Sequence, residues 1–64
     1  MKIAIEGMHS EACVKRVRRA LESIDGLQVR EVILGSAAVD GDAKQRAAAI
    51  EAIEKAGFQP HLAA

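Results

Sequence analysis

Five glycines, at positions 7, 26, 35, 41 and 57, cut this 64-residue chain into six short segments, and each segment carries one hydrophobic pattern. Segments this short hold one strand or one helix apiece, so their order fixes the fold more tightly than any other feature. Lys2 to Glu6 alternates polar and apolar, with Ile3 and Ile5 on one side, as in a strand with one buried face. After Gly7, Ser10 and Glu11 form a helix start, with a side-chain acceptor near the free amides and an acid in the first turn. The helix is predicted to run to about Ser23. Its apolar stripe is Cys13, Val14, Val17, Ala20, Leu21 and Ile24, with Lys15, Arg16, Arg18 and Arg19 largely off it. Asp25-Gly26 ends it, because glycine tolerates the left-handed conformation that terminates many helices.

A β-branched run from Gln28 to Leu34 and a short strand over Ala37 to Val39 flank the Gly35-Ser36 turn, which predicts an antiparallel hairpin. Asp40-Gly41-Asp42 is turn chemistry. Ala43 to Ala56 is rich in helix formers and sets Ala47, Ile50, Ile53 and Ala56 on one face. Gly57 closes that helix. A last strand over Phe58 to Leu62 contains Pro60, which lacks an amide proton and belongs on an edge. The order β-α-β-β-α-β is the split βαβ arrangement. We therefore expect one α+β domain over residues 1–64, a ferredoxin-like βαββαβ sandwich. Its four-stranded antiparallel sheet has the order 4-1-3-2, with two helices on one face.

Composition narrows the function. Nine Lys plus Arg balance nine Asp plus Glu, so no overall field holds a nucleic-acid backbone or an anionic membrane. Phe58 is the only aromatic, which leaves no base-stacking platform. One cysteine, Cys13, excludes an internal disulfide, fits a reducing compartment and leaves packing to stabilise the fold. With no apolar stretch long enough for a leader or a membrane span, the expected location is cytoplasmic, without membrane insertion.

The first loop reads Gly7-Met8-His9-Ser10-Glu11-Ala12-Cys13. It resembles the Gly-Met-x-Cys-x-x-Cys loop of the heavy-metal-associated domain family of copper chaperones and metal-ATPase amino-terminal domains, with Ser10 at the first cysteine position. The resemblance extends over nearly the whole chain. Val17, Ala20 and Leu21 fall where the family's first helix packs, Gly26-Leu27 matches its Gly-Val, and Ile50 to Phe58 matches its closing Ile-x-x-x-Gly-aromatic segment. It implies Cu(I) as the cargo, with zinc or another soft metal as the substitute. It also implies trafficking or buffering by ligand exchange, in which a partner's thiolates take the ion through a shared three-coordinate state. A metal-transporting ATPase or another copper protein is the implied partner.

Ser10 changes that chemistry, because Cu(I) is soft and a hydroxyl is a hard, poor ligand. Cys13, at a helix amino terminus that favours a thiolate, is the anchor. A second donor has four sources. His9 offers a borderline imidazole from the variable loop position. Met8 is a soft thioether that the family tucks under the loop. His61, four residues into the last strand, stands about 10 Å from Cys13 by the strand rise, too far for the same ion. The fourth source is another molecule, either a second Cys13 in a homodimer or a partner's cysteines. The expected ligands are Cys13 and His9, with Met8, Ser10 and Phe58 secondary. Phe58 stands where the resemblance implies a residue that shields or tunes the loop. Lys15, Arg16 and Arg19, with Arg18, are expected to steer an acidic partner.

The competing reading is a degenerate, metal-free domain of the same fold that serves as a protein-interaction or regulatory module. An enzyme is not expected. The loop lacks the Gly-rich, arginine-bearing phosphate cradle of acylphosphatases, and no Ser/His/Asp or paired-carboxylate grouping is present. Ser10-x-x-Cys13 sits in the wrong context for a thiol redox motif, and a structural zinc needs four protein donors where two are near.

Overall fold

A computed structural model describes residues 1–63; Ala64, the last residue of the expected domain, lies outside the described residues. The elements are β1 (Lys2–Glu6), α1 (Glu11–Glu22), β2 (Gln28–Ile33), β3 (Ser36–Asp40), α2 (Ala43–Lys55) and β4 (Gln59–Ala63). The strands form one antiparallel sheet in the order β2-β3-β1-β4, the expected 4-1-3-2 counted from the other edge. Each predicted element is present, with ends moved by one or two residues. β3 runs longer, from Ser36 to Asp40, and Leu34 joins the turn instead of β2.

β1 is central, pairing with β3 (Ile3 opposite Ala37) and with β4 (Ile5 opposite Pro60). Pro60 is thus in an edge strand, where its missing N–H costs no ladder bond. The other edge, β2, is interrupted by a bulge between Val29 and Glu31, and the extra residue, Arg30, donates through Nε to Oδ2 of Asp40 on β3. Bulges of this kind blunt an exposed edge.

The core lies between the sheet and the two helices. Ile3, Val17, Leu21, Val39 and Ile53 are fully enclosed, and Ile5, Val14, Val32 and Phe58 are nearly so. Each such aliphatic burial contributes about 1.5–3 kcal/mol, which is how a chain without cross-links holds together. The expected stripe on α2 is corrected at one position. Ala49 and Ile53 are buried and Ile50 and Ala56 half-buried, whereas Ala47 is exposed. Alanine occurs on every side of α2, so its spacing did not select a face, and the burial of Ile53 against the sheet sets the rotation.

α2 also has a start signal that the turn reading passed over. Asp42 accepts from the Gln45 backbone N–H at 2.8 Å while Gln45 Oε1 accepts from the Asp42 backbone N–H at 2.9 Å, a reciprocal capping box. Gln45 Nε2 donates to the Asp25 carbonyl, tying this start to the end of α1. At the opposite end of the sheet three connections meet. The loop after β1, the β2–β3 turn and the α2–β4 turn are joined there by Ile5 N–H to Gly35 O at 2.8 Å and by Glu6 facing Gln59.

Candidate metal centre

The loop leaves the central strand at Gly7, whose φ of +98° is in the region that a side chain rarely adopts. A Cβ there would stand 3.6 Å from Phe58 Cδ1, an ordinary contact, so the position needs glycine for its backbone angle and not for room. Met8 follows, half-buried against the core, and its sulfur accepts the Gly35 N–H at 3.3 Å. That bond turns the thioether toward the β2–β3 turn. His9 and Ser10 are exposed.

Ser10 is the N-cap of α1, in extended conformation (φ −156°, ψ 170°), and its carbonyl accepts from the N–H groups of Cys13 and Val14 at 3.0 and 3.3 Å. Its side chain does not cap, contrary to the sequence expectation. The hydroxyl leans one turn on and donates to Cys13 Sγ at 3.9 Å, so the sulfur takes the group that would have served the helix amides.

Cys13 sits in the first turn of α1, half-buried at the rim of the core. The backbone N–H of His9 is the foremost influence holding its thiol below the usual range; partial desolvation opposes it. The Ser10 hydroxyl and backbone N–H add to the lowering, as does the charge of Arg16. Every group that lowers it sits in the loop or the first two turns of α1, as at other helix starts that activate a thiol.

Phe58, 7% exposed, lies under the loop, and the Arg16 guanidinium is over its ring, 5.9 Å from the centroid. Phe58 is therefore both a core residue and the floor of the loop. Lys15, Arg18 and Arg19 are exposed on the same helix, and among the described residues none of the four α1 cations forms an ion pair. His61 is placed apart. It pairs with Ala4, between buried Ile3 and Ile5, so it shares Ala4's helix-free face, where its Nε2 meets Glu6 Oε2 at 2.6 Å.

The structure thus brings Met8, His9, Ser10, Cys13, Arg16 and Phe58 to one end of the sheet and leaves His61 on the other face. Among the described residues no group of three His, Cys, Asp or Glu side chains is set to hold an ion. Gly35 was missed from sequence as a loop partner; its role depends on hairpin pairing and has no local signal. Chemically the arrangement offers one partly exposed sulfur donor, its thiol held below the usual range, beside the exposed His9 and Ser10.

Among curated proteins, none matches this chain. A solved crystal structure of the CopA C-terminal metal binding domain is similar to it, with 37% sequence identity over 92% of this chain and 81% of that one and a TM-score of 0.76. The model of the heavy-metal-associated domain matches residues 2–59, from the first strand to the start of the last. Among the described residues, no helix is long and apolar enough to cross a membrane. Loop, sheet order and matched span agree, and the chain belongs to the heavy-metal-associated domain family.

Proposed function

We propose that this chain carries a Cu(I) ion on Cys13, with His9 as second donor, and passes it on by ligand exchange. The observation that carries this reading is the Cys13 thiol itself, half-exposed in the first turn of α1, with the His9 amide foremost and the Arg16 charge beside it favouring the thiolate. Family membership and the likeness to a CopA metal binding domain support copper as the cargo. A soft ion suits a thiolate with a borderline imidazole. Ser10, where a second thiolate would stand, leaves the ion loosely held, which favours handover to a partner's cysteines.

In the exchange a first partner thiolate adds to the ion, gives a shared three-coordinate state and displaces His9; a second partner thiolate then displaces Cys13, so the ion keeps at least two donors throughout. No bond of the chain is made or broken. The cations Lys15, Arg16 and Arg19 on the exposed face of α1, unpaired among the described residues, steer an acidic partner such as a metal-transporting ATPase domain. They also repel a second copy of the same face, so the expected carrier is a monomer instead of a dimer bridged by two Cys13 thiolates. In this reading the chain is a carrier and not an enzyme, and it acts in a reducing, cytoplasmic setting.

The test is an anaerobic Cu(I) competition titration against a chromogenic chelator, on the wild type, Cys13→Ser and His9→Ala, with mass measured under native conditions. Cys13→Ser is expected to abolish competition and His9→Ala to weaken affinity at least about tenfold, the lower end of what losing even an outer-shell partner of a ligand costs. Copper at one per two chains would replace His9 by a second Cys13. Equal affinity in wild type and Cys13→Ser would remove the metal reading and leave a metal-free interaction module.

A further inference from the structure

Of the four cations on α1, one has a fixed address. Arg16 lies over the Phe58 ring, 5.9 Å from its centroid, while Lys15, Arg18 and Arg19 extend from the exposed face. A guanidinium seated on an aromatic face gains a cation–π attraction and gives up rotamer freedom before any ligand arrives. The ring is itself fixed, since Phe58 is 7% exposed and lies beneath Gly7. The ring thereby holds a positive charge at the loop, one helical turn beyond Cys13.

Among the described residues no acid neutralises that charge. The neighbours of Arg16 three and four residues away along α1 are Cys13, Ala12, Arg19 and Ala20, none of them acidic. Glu6, at the start of the loop, is taken by His61. Among the described residues Arg16 has no ion-pair partner, so its N–H fork is free for an outside acceptor, and the geometry that suits it best is a carboxylate. Residues three apart on a helix stand about 5–6 Å from each other at Cβ. The Arg16 charge acts on the Cys13 thiol from one turn away, so a thiol with a carboxylate a few bonds from its sulfur can bring the sulfur to Cys13 and the carboxylate to Arg16.

We infer that Arg16, seated on Phe58, determines which ligand exchanges at Cys13: it receives the carboxylate of the incoming group, so the site takes carboxylate-bearing thiols over neutral or cationic ones. The inference rests on the reading of Cys13 as the exchanging thiol, and it names the chemical class of what comes in.

The test uses thiol–disulfide exchange without metal, at one pH and low salt. Cys13 attacks a symmetric disulfide, the reagent's S–S bond breaks, a mixed disulfide forms on Cys13 and the other half leaves as a thiolate. The quantity read is the rate with dithiodipropionate divided by the rate with neutral hydroxyethyl disulfide, with cystamine as the cationic control. Arg16→Gln is expected to lower this ratio about fivefold, as removal of one nearby charge in water does, and Arg16→Lys to restore part of it. Lys15→Gln and Arg19→Gln, which act on a macromolecular partner's approach and not on the thiol, are expected to change this small-molecule ratio less than about twofold, since the Arg16 charge, and not theirs, acts on Cys13. Phe58→Leu, which keeps the charge and removes its seat, should lower it as well.

A ratio unchanged in Arg16→Gln overturns the inference, and so does an equal drop in Lys15→Gln, which would assign the effect to the general field of α1. Two cysteine peptides, with Asp or Asn before the cysteine, separate the sources. An Arg16-dependent preference for the Asp peptide assigns the ligand to a protein cysteine beside an acid, and a preference confined to dithiodipropionate assigns it to a small thiol. Because no metal takes part, a flat ratio leaves Cu(I) binding standing. Loss of Cu(I) binding with the ratio intact removes only the metal reading.

Discussion

At the scale of single residues the chain turns on Ser10. Its hydroxyl stands 3.9 Å from Cys13 Sγ in the first turn of α1, so a sulfur in its place would face the same open region. Ser10→Cys is therefore expected to raise Cu(I) affinity at least about a hundredfold, because a second thiolate replaces a hard hydroxyl for a soft ion. The same competition titration reads this, and an affinity unchanged by Ser10→Cys would mean that the loop does not present position 10 to the ion. Ser10, Cys13 and the Gly7-Met8 entry were legible in the sequence, because all lie within one loop and its spacing. What the loop rests on was legible only in part, since the resemblance set Met8 and Phe58 against the loop but not the partners that hold them there. The Met8 sulfur is held by Gly35 and Arg16 is held over Phe58, contacts between segments far apart in the chain that exist only once the sheet is assembled.

Among the elements, α2 and the β2–β3 hairpin show why some features escape the pattern. The Asp42 and Gln45 box was readable as Asp-x-x-Gln before a helix-rich run, and its cost can be measured. Asp42→Ala is expected to lower stability by about 1 kcal/mol in urea unfolding. The rotation of α2 was less readable, since alanines on all sides blur the period and Ala47 came out exposed. The bulge at Arg30 breaks the alternation of β2, with two polar residues, Arg30 and Glu31, between the core-facing Val29 and Val32, and it sets a pH dependence. The Arg30 guanidinium holds the Asp40 carboxyl below the usual aspartate range. A carboxyl depressed in the folded chain adds stability that is complete above the ordinary aspartate range and is lost as pH falls through the lowered folded value. Asp40→Asn should thus unfold at lower urea than wild type at neutral pH and converge with it in acid. A gap that persists unchanged into acid would show that the pair does not titrate with folding.

For the whole molecule, core and loop are joined through the central strand, so packing far from Cys13 bears on ion binding. Ile53 is fully enclosed on α2 and contributes to the core beneath Phe58, whose N–H bonds the Ile53 carbonyl at 3.3 Å. Ile53→Ala is expected to cost about 2–5 kcal/mol, a large share of the stability that a chain this short commonly has. The single thiol exists in the unfolded chain as well as the folded one, so Cu(I) stabilises the fold only to the extent that the folded loop offers more than Cys13 alone. If His9 and the oriented loop amides contribute, Cu(I) will raise the thermal midpoint of Ile53→Ala by several degrees. The rise will shrink in Ile53→Ala with His9→Ala and vanish with Cys13→Ser. Were the midpoint of Ile53→Ala to stay fixed while Cu(I) still binds, the ion would be held equally by folded and unfolded chains. The folded geometry of the loop would then add nothing to what the segment from His9 to Cys13 offers when unfolded, and the His9→Ala titration alone would decide whether His9 is the second donor.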